Sequence, residues 1–575
     1  MNNQEVARIL REIGEYLEMD DVPFKPRAYE KASSAIADLG TELRDIYAKG
    51  GLEALEKVPG VGVSIAEKIE ELLKTGRLKY YEGLKKKMPV DFSSFAGLEG
   101  LGPKSIKKLY KELGIRNRVD LEKAVKAGKI RRLEGFGKKS EEKILAALEF
   151  ASKSSGRFLL GDILPLSESI KERLAELKEV KKIVVAGSLR RRRETIGDVD
   201  ILVISNKPKA VMSKFVSLKE VVRVLAKGET KSSVKLKTGI DADLRVVPEE
   251  SYGAAINYFT GSKSHNVSLR EMAVKKGWKL NEYGLFDKKG KRIAGKTEEE
   301  LYKALGLRYI EPELREDAGE IAAAKSGKLP KLIGYGDLRG DLQTQTDWTD
   351  GTASIEEMAL AASKRGLEYI VITDHTKRLA MTHGLDAKRL AEQGKEIDSV
   401  NRKLRKRGMK IKVLKGSECD ILKDGTLDLP DSALSKLDVV GASIHSYFDL
   451  PAAEQTERLK KAMSNPNVDI IFHPTGRLIG RRAPCDLDIK EIISFAKKTK
   501  TVLEVDAFPD RLDLKDEYIR LCVEAKVKLA VDSDAHAPLH FDYLSYGIAQ
   551  ARRGWAKKAD VINAWPLEKM LKSLK

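Results

Sequence analysis

The sequence predicts a multidomain protein of mixed α+β and α/β class: helical units first, a mixed α/β unit next, and a β/α barrel towards the C-terminal end. Three observations predict it. Apolar residues recur at helical spacing in Val6, Ile9, Leu10, Ile13 and Leu17, and again in Ile65, Ile69, Leu72 and Leu73. From Lys181 the pattern turns to short β-branched runs, KKIVVAG and DVDILVI, with helical stretches between them. Across 337–575, apolar runs end one after another in a metal-capable side chain: His375, Glu418, His445, His473 and Asp534.

The chain has 575 residues, enough for about four domains at roughly 150 residues each. With 42% hydrophobic and 34% charged residues, a mostly disordered chain is excluded. No stretch approaches the ~18 apolar residues of a membrane helix. Charges interrupt the N-terminal MNNQEVARILREIGEYLEMDD, so no signal peptide is expected. Cys419, Cys485 and Cys522 lack CxxC spacing, which argues against a disulfide framework or a cysteine zinc site and for the cytoplasm. A net charge of +19 favours a polyanionic partner, nucleic acid before membrane.

In the helical region, expected as units 1–90 and 91–155, three segments repeat: VPGVGVSIAEKI, LEGLGPKSIKKL and LEGFGKKSEEKI. Their glycine pairs are Gly60/Gly62, Gly100/Gly102 and Gly135/Gly137. Glycine permits positive φ, and amides at the following helix N-terminus suit a phosphate oxygen. One copy is an ordinary helix–helix turn. Three copies with matching flanks resemble helix-hairpin-helix modules, which hold the DNA backbone without reading sequence. Positions 101–150 carry 14 Lys/Arg against 7 Asp/Glu, which concentrates the positive field there.

The most specific local signal is AGSLRRRRETIGDVDILV, 186–203. Asp198 and Asp200 lie two apart on a strand and so share one face. Gly187 and Ser188 follow a β run among small and basic neighbours and suit phosphates. GIDADLRVV supplies a third carboxylate, Asp243, with Asp241 as its competitor. Three such carboxylates suit a pair of Mg²⁺ or Mn²⁺ ions that activate a hydroxyl and stabilise a leaving pyrophosphate.

Over 1–317 the chain resembles the family X DNA polymerases of the polymerase β type. The resemblance rests on G-S…D-V-D, on Asp243 with Arg245, and on YFTGSKSHN. It implies a palm over 156–249 and a nucleotide-selecting subdomain over 250–317. It also implies metal-binding Asp198, Asp200 and Asp243, and triphosphate-binding Ser188 and Arg191 beside Gly187. Tyr258 and Phe259 would lie under the incoming sugar and select dNTPs, with Gly261 in the same motif. Asn266 would contact the base and Arg270 the template. Lys263 departs from the aspartate familiar in the eukaryotic enzyme. The family's lyase domain places its Schiff-base lysine at Lys68, with Lys25, Tyr29 and Lys31 near the 5′-phosphate.

Glu316–Asp337, rich in glycine with Pro330, reads as a linker over 318–336. Beyond it, six of the seven histidines fall between 375 and 540. The strand-end donors are spaced 43, 27, 28 and 61 residues apart, which fits one strand and helix each and two units in the last gap. Polar residues at such ends are where a β/α barrel keeps its site. The region resembles the PHP (polymerase and histidinol phosphatase) family. That resemblance implies a distorted (β/α)7 barrel holding Zn²⁺ or Mn²⁺ on Asp350, His375, Glu418, His445, His473, Asp534 and His536. His383 is a further candidate, and His540 is expected to be structural. Gln343 and Gln345 stand where the family has H-x-H, so one metal should be weak and the implied 3′→5′ exonuclease impaired.

The combined reading is a monomeric repair polymerase acting on gapped or primed DNA with dNTPs, with a possible lyase activity. A nucleotidyltransferase on another substrate would share G-S and D-x-D but not the three hairpins or YFTGS. A non-catalytic gap- or end-binding scaffold would be favoured by loss of one aspartate, and none is lost.

Overall fold

The computed structural model describes residues 1–575 apart from 2, 38, 40, 96–100, 154–155 and 379–381. Gly100 of the second hairpin therefore lies outside the described residues. Among the described residues no helix is long and apolar enough to cross a membrane. The three cysteines are free and buried.

The N-terminal helix Asn3–Met19 buries Val6, Ile9, Leu10, Ile13, Tyr16 and Leu17 against Lys25–Ala37. The two helical units expected to be separate share one apolar core that runs from Val6 to Leu148. Tyr16 helps join them: its ring meets Phe92 edge-on at 4.7 Å and its hydroxyl donates to Val90 O at 3.0 Å. In the first hairpin Gly60 has φ +77° and Gly62 caps Val63–Thr75. Gly102 caps Pro103–Leu113 in the second, and in the third Gly135 has φ +80° ahead of Gly137 and the helix Lys138–Lys153.

The next unit is a five-stranded sheet in the order Val180–Val185, Asp198–Ser205, Asp241–Val246, Lys231–Leu236, Val221–Lys227. Only the Asp198–Ser205 and Asp241–Val246 pair is parallel. That pairing matters for function, because it sets Asp200 directly beside Asp243. The following unit packs Tyr252–Thr260, Lys263–Lys275 and Glu298–Leu305 with a three-stranded sheet over 279–294. Its centre is polar: fully buried Arg315 pairs with Glu298, which also accepts from Arg190 Nη2 at 2.6 Å. Burial alone pushes the Glu298 carboxyl up, but Arg315 and Arg190 outweigh it and hold it down to about 2.

The segment 318–336, expected to be a linker, instead contains the helix Glu320–Ser326. The glycines that suggested flexibility are its caps, Gly319 with φ +98° and Gly327 with φ +71°. Its first residue, Glu320, is fully buried and bonds His265 Nδ1 at 2.6 Å.

Seven parallel strands then form the C-terminal unit in chain order: Gly340–Thr344, Tyr369–Ile372, Lys412–Asp420, Val439–Ser443, Ile470–Ile471, Val502–Asp506 and Leu529–Asp532. Helices cover the outside, so most strand residues are buried on both faces. The first strand returns to the last through Gln345 N–H donating to Ala535 O at 2.8 Å, which brings the barrel close to closure. The long gap before Asp534 holds the extra strand Val502–Asp506. The barrel abuts the five-stranded unit: Leu512 and Tyr546 share that unit's apolar core, and Arg477 Nη2 meets Glu194 at 2.8 Å.

Arg315→Met should leave the buried Glu298 carboxylate to Arg190 alone and cost about 3–5 kcal/mol. Thermal unfolding of the full chain at neutral pH measures it. The wild-type pair should itself weaken as pH falls from the ordinary carboxyl range, near 4.5, towards 2, because the folded-state value is depressed.

Candidate active sites

Residues that the sequence marks separately converge on one cavity of about 780 Å³. Gly187, Ser188, Arg191, Asp198, Asp200, Tyr258, Phe259, Gly261, Asn266 and Arg270 all line it. The Gly187 turn has φ +62°, and a Cβ there would lie 2.7 Å from Asp200 Oδ2, so the backbone approach requires glycine. Ser188 Oγ is buried with no protein partner, a hydroxyl left for a ligand. Gly261 has φ +72° and would press a side chain to 3.0 Å from the Arg191 guanidinium. Tyr258 and Phe259 meet edge to face at 5.1 Å, with the Arg245 guanidinium 4.7 Å over the Phe259 ring. Asn266 Nδ2 donates to Tyr258 O at 2.7 Å.

The carboxylates share a field. Burial pushes Asp200 up to about 7, and the like charges of Asp198 and Asp243 add to that. Asp243 reaches Lys231 Nζ at 2.9 Å, and its competitor Asp241 reaches Lys235 Nζ at 2.5 Å. A lysine ammonium thus stands where like charge calls for a cation, and a divalent ion fits the same need. Sequence reasoning missed Lys231, and it missed Arg157, Arg193, Thr260 and Glu316 of the cavity wall. Nothing but tertiary structure brings these to the aspartates.

In the helical region Lys68 Nζ donates to Ser64 O and Oγ, each at 2.9 Å, and lies 5.2 Å from the Tyr80 ring centre. Burial lowers its ammonium pKa; Glu67 opposes this and Lys25 adds to it. Lys31 packs against the Gly60 turn, where a glycine Cβ would lie 3.0 Å from its Cγ. Tyr29 belongs to the core, with only 5% of its surface exposed.

The barrel gathers its donors around one buried carboxylate. Glu418 accepts from His473 Nε2 at 2.8 Å and Ser443 Oγ at 2.7 Å, and pairs with His445 Nε2 at 3.0 Å and His375 Nδ1 at 3.3 Å. Asp350, His375 and His536 form one set of donors close enough to hold an ion, and His375, Glu418 and His445 form another. Burial disfavours protonated His445 and His536, yet neighbouring carboxylates outweigh it and push them up to about 9 and about 10. These imidazoliums supply the positive charge that a Zn²⁺ or Mn²⁺ ion would supply on releasing their protons, so the donor set fits such ions. Asp534 lies 3.8 Å from His536 Nδ1 and 3.8 Å from Arg511 Nε. Arg511, unforeseen from the sequence, also faces Asp506 at 3.4 Å. Gln345 Nε2 donates to Glu418 Oε2 at 2.8 Å, while the Gln343 amide is buried without partners. His383 is exposed and belongs to neither set, and buried His540 stacks on Tyr543 at 4.8 Å.

Family models match this chain segment by segment. They are a helix-hairpin-helix domain over 1–78, a SAM-like helix-hairpin-helix tandem over 92–149, a DNA polymerase beta palm over 162–244, a DNA polymerase beta thumb over 255–316 and a PHP domain over 341–504. The chain is 39% identical over 572 residues to the DNA polymerase/3'-5' exonuclease PolX of Bacillus subtilis, covering 99% of this chain and 98% of that protein. It is also 31% identical over 192 residues to a "Probable phosphatase" of Caldicellulosiruptor saccharolyticus, covering 32% of this chain and 73% of that protein. A second such protein, from Caldicellulosiruptor bescii, is 31% identical over 193 residues, with the same coverage.

A neutral amide is a poorer Zn²⁺ or Mn²⁺ donor than imidazole. Installing Gln343→His and Gln345→His together should therefore add one bound ion per chain, read by elemental analysis after dialysis against the metal. An unchanged ion content would assign the block to Arg511 rather than to the missing imidazoles.

Proposed function

The chain belongs to the family X DNA polymerases that carry a PHP domain, and from that membership we propose that it fills short gaps during DNA repair. It is a template-directed DNA polymerase with an appended PHP phosphoesterase module, and it acts as a monomer on gapped or primed DNA with dNTPs in the cytoplasm. The observation that carries this reading is the single cavity that joins Asp198 and Asp200 to Ser188, Arg191, Tyr258 and Asn266.

In this reading Asp198, Asp200 and Asp243 hold Mg²⁺ or Mn²⁺, which when bound lowers the barrier to phosphoryl transfer by neutralising charge on the reacting oxygens. Ser188 Oγ and the Arg191 guanidinium bind the triphosphate. Tyr258 and Phe259 form the wall under the sugar, so a 2′-hydroxyl is excluded. Asn266 meets the base, and Arg270, at the cavity edge, faces the template. Gly60, Gly62, Gly102, Gly135 and Gly137 put backbone amides at DNA phosphates, and Gly100, outside the described residues, belongs to the same repeated motif. In the barrel, Asp350, His375, Glu418, His445, His473, Asp534 and His536 hold Zn²⁺ or Mn²⁺ for a 3′→5′ exonuclease weakened by Gln343 and Gln345.

Asp200→Asn should lower primer extension by more than the ~100-fold that loss of an outer-shell metal partner costs, with DNA binding retained. Wild-type extension at subsaturating Mg²⁺ should also fall about tenfold per pH unit below about 7, where Asp200 takes up a proton, and level off above it. Extension by Asp200→Asn at the wild-type rate would remove the assignment.

The depressed Lys68 ammonium favours a lyase role, because a Schiff base forms from the neutral amine. With Lys25, Tyr29 and Lys31 near the 5′-phosphate, borohydride should trap wild type on an abasic 5′-deoxyribose phosphate and leave Lys68→Ala untrapped. Equal trapping of both proteins would move the role elsewhere.

A further inference from the structure

We infer that Arg553, on the barrel, is a positioning residue for nucleotide binding in the polymerase cavity; the inference rests on the polymerase reading above. Arg553 ends the helix Leu544–Arg553 and is 3% exposed. Its Nη1 donates to Glu316 Oε1 at 3.1 Å and to the Arg191 backbone carbonyl at 3.0 Å. Its Nη2 donates to Asp516 Oδ2 at 2.5 Å, at the start of a second barrel helix, Asp516–Ala525.

The same Glu316 Oε1 accepts from Arg191 Nε at 3.0 Å, while Arg191 Nη1 donates to Thr260 O. Two edges of the Arg191 guanidinium are thereby pinned, and the residue lines the cavity. Arg553 grips Arg191 twice, at its backbone carbonyl and through Glu316 at its guanidinium. Without Arg553, Glu316 would keep Arg193, at 3.8 Å, as its other cation, and would be drawn towards that side. Arg191 would then meet a triphosphate from a less restricted set of orientations. Loss of this order should raise KM for dNTP, while the step after binding, set by the aspartates, changes less. Arginine suits the post because its planar fork serves two carboxylates and a carbonyl at once.

The test is primer extension by the full chain on gapped DNA with Mg²⁺, with KM for dNTP and kcat separated and Tm followed. Arg553→Met should raise KM roughly tenfold, the worth of one hydrogen bond to a charged group, with a smaller change in kcat. Arg553→Lys should fall between, since it keeps the charge and loses the fork. Arg552→Met is the control: Arg552 donates to Glu313 Oε1 at 2.8 Å across the same interface but does not touch Glu316, and its loss should leave KM unchanged. A KM raised equally in Arg552→Met, or unchanged in Arg553→Met, overturns the inference. If Arg553→Met does not fold, an unchanged KM in Arg553→Lys overturns it instead. No extension by wild type would sink the polymerase reading, and this inference with it.

Discussion

Moving a carboxylate out of water costs several kcal/mol unless a cation or a set of donors lies against it. This chain moves many of them. Asp200 is crowded by Asp198 and Asp243, Glu298 is buried between Arg190 and Arg315, and Glu418 is enclosed by histidines. The rest of the architecture depends on which cation answers each one. Where the answer is a guanidinium, the pair is permanent and builds the fold. Where it is a lysine or an imidazolium, the charge can be exchanged for a ligand, and the place becomes a site.

That division separates Glu298 from Asp243. Glu298 is held by two arginines on a buried frame, and nothing that enters the cavity can replace them. Among the described residues Asp243 pairs with Lys231, whose side chain is 44% exposed and can give way to a divalent ion. The barrel repeats the contrast within a few ångströms. His445 and His536 carry exchangeable protons, whereas Arg511 holds Asp506 and Asp534 with a charge that cannot be discharged.

Local patterns were legible in the sequence. Asp198 and Asp200 are two apart on a strand, so their shared face follows from the pleat alone, and Gly187 and Ser188 adjoin them. The barrel histidines could be read because each ends an apolar run. The partners of these residues could not be read. Glu316 meets Arg553 across 237 positions and Arg191 across 125, distances over which no periodicity carries information. The linker expected over 318–336 failed for a different reason. Gly319 and Gly327 cap a helix of seven residues, and composition cannot tell a cap from a flexible joint. The two helical units share one apolar core, with Tyr16 reaching Phe92 across their boundary, a contact invisible to a boundary drawn from lysine content.

The two glutamines show how a barrel can lose metal donors and keep its fold. Replacing imidazole by a neutral amide would be costly if Glu418 were left without partners. It is not, because Gln345 Nε2, Ser443 Oγ and His473 Nε2 all reach its oxygens and His445 lies beside it. Asp534, the other acid expected there, faces Arg511. With those partners Glu418 is not left bare by the two amides, so its own stability does not force the imidazoles to stay. The barrel is bound to the rest of the molecule through Arg477, four residues after His473, on Glu194 and through Arg553 on Glu316. Loss of Arg477 would take from Glu194 its arginine, and loss of Arg553 would leave Glu316 to Arg191 and Arg193. The same electrostatic rule thus lets amides replace imidazoles beside Glu418 while guanidiniums hold the barrel to the polymerase cavity.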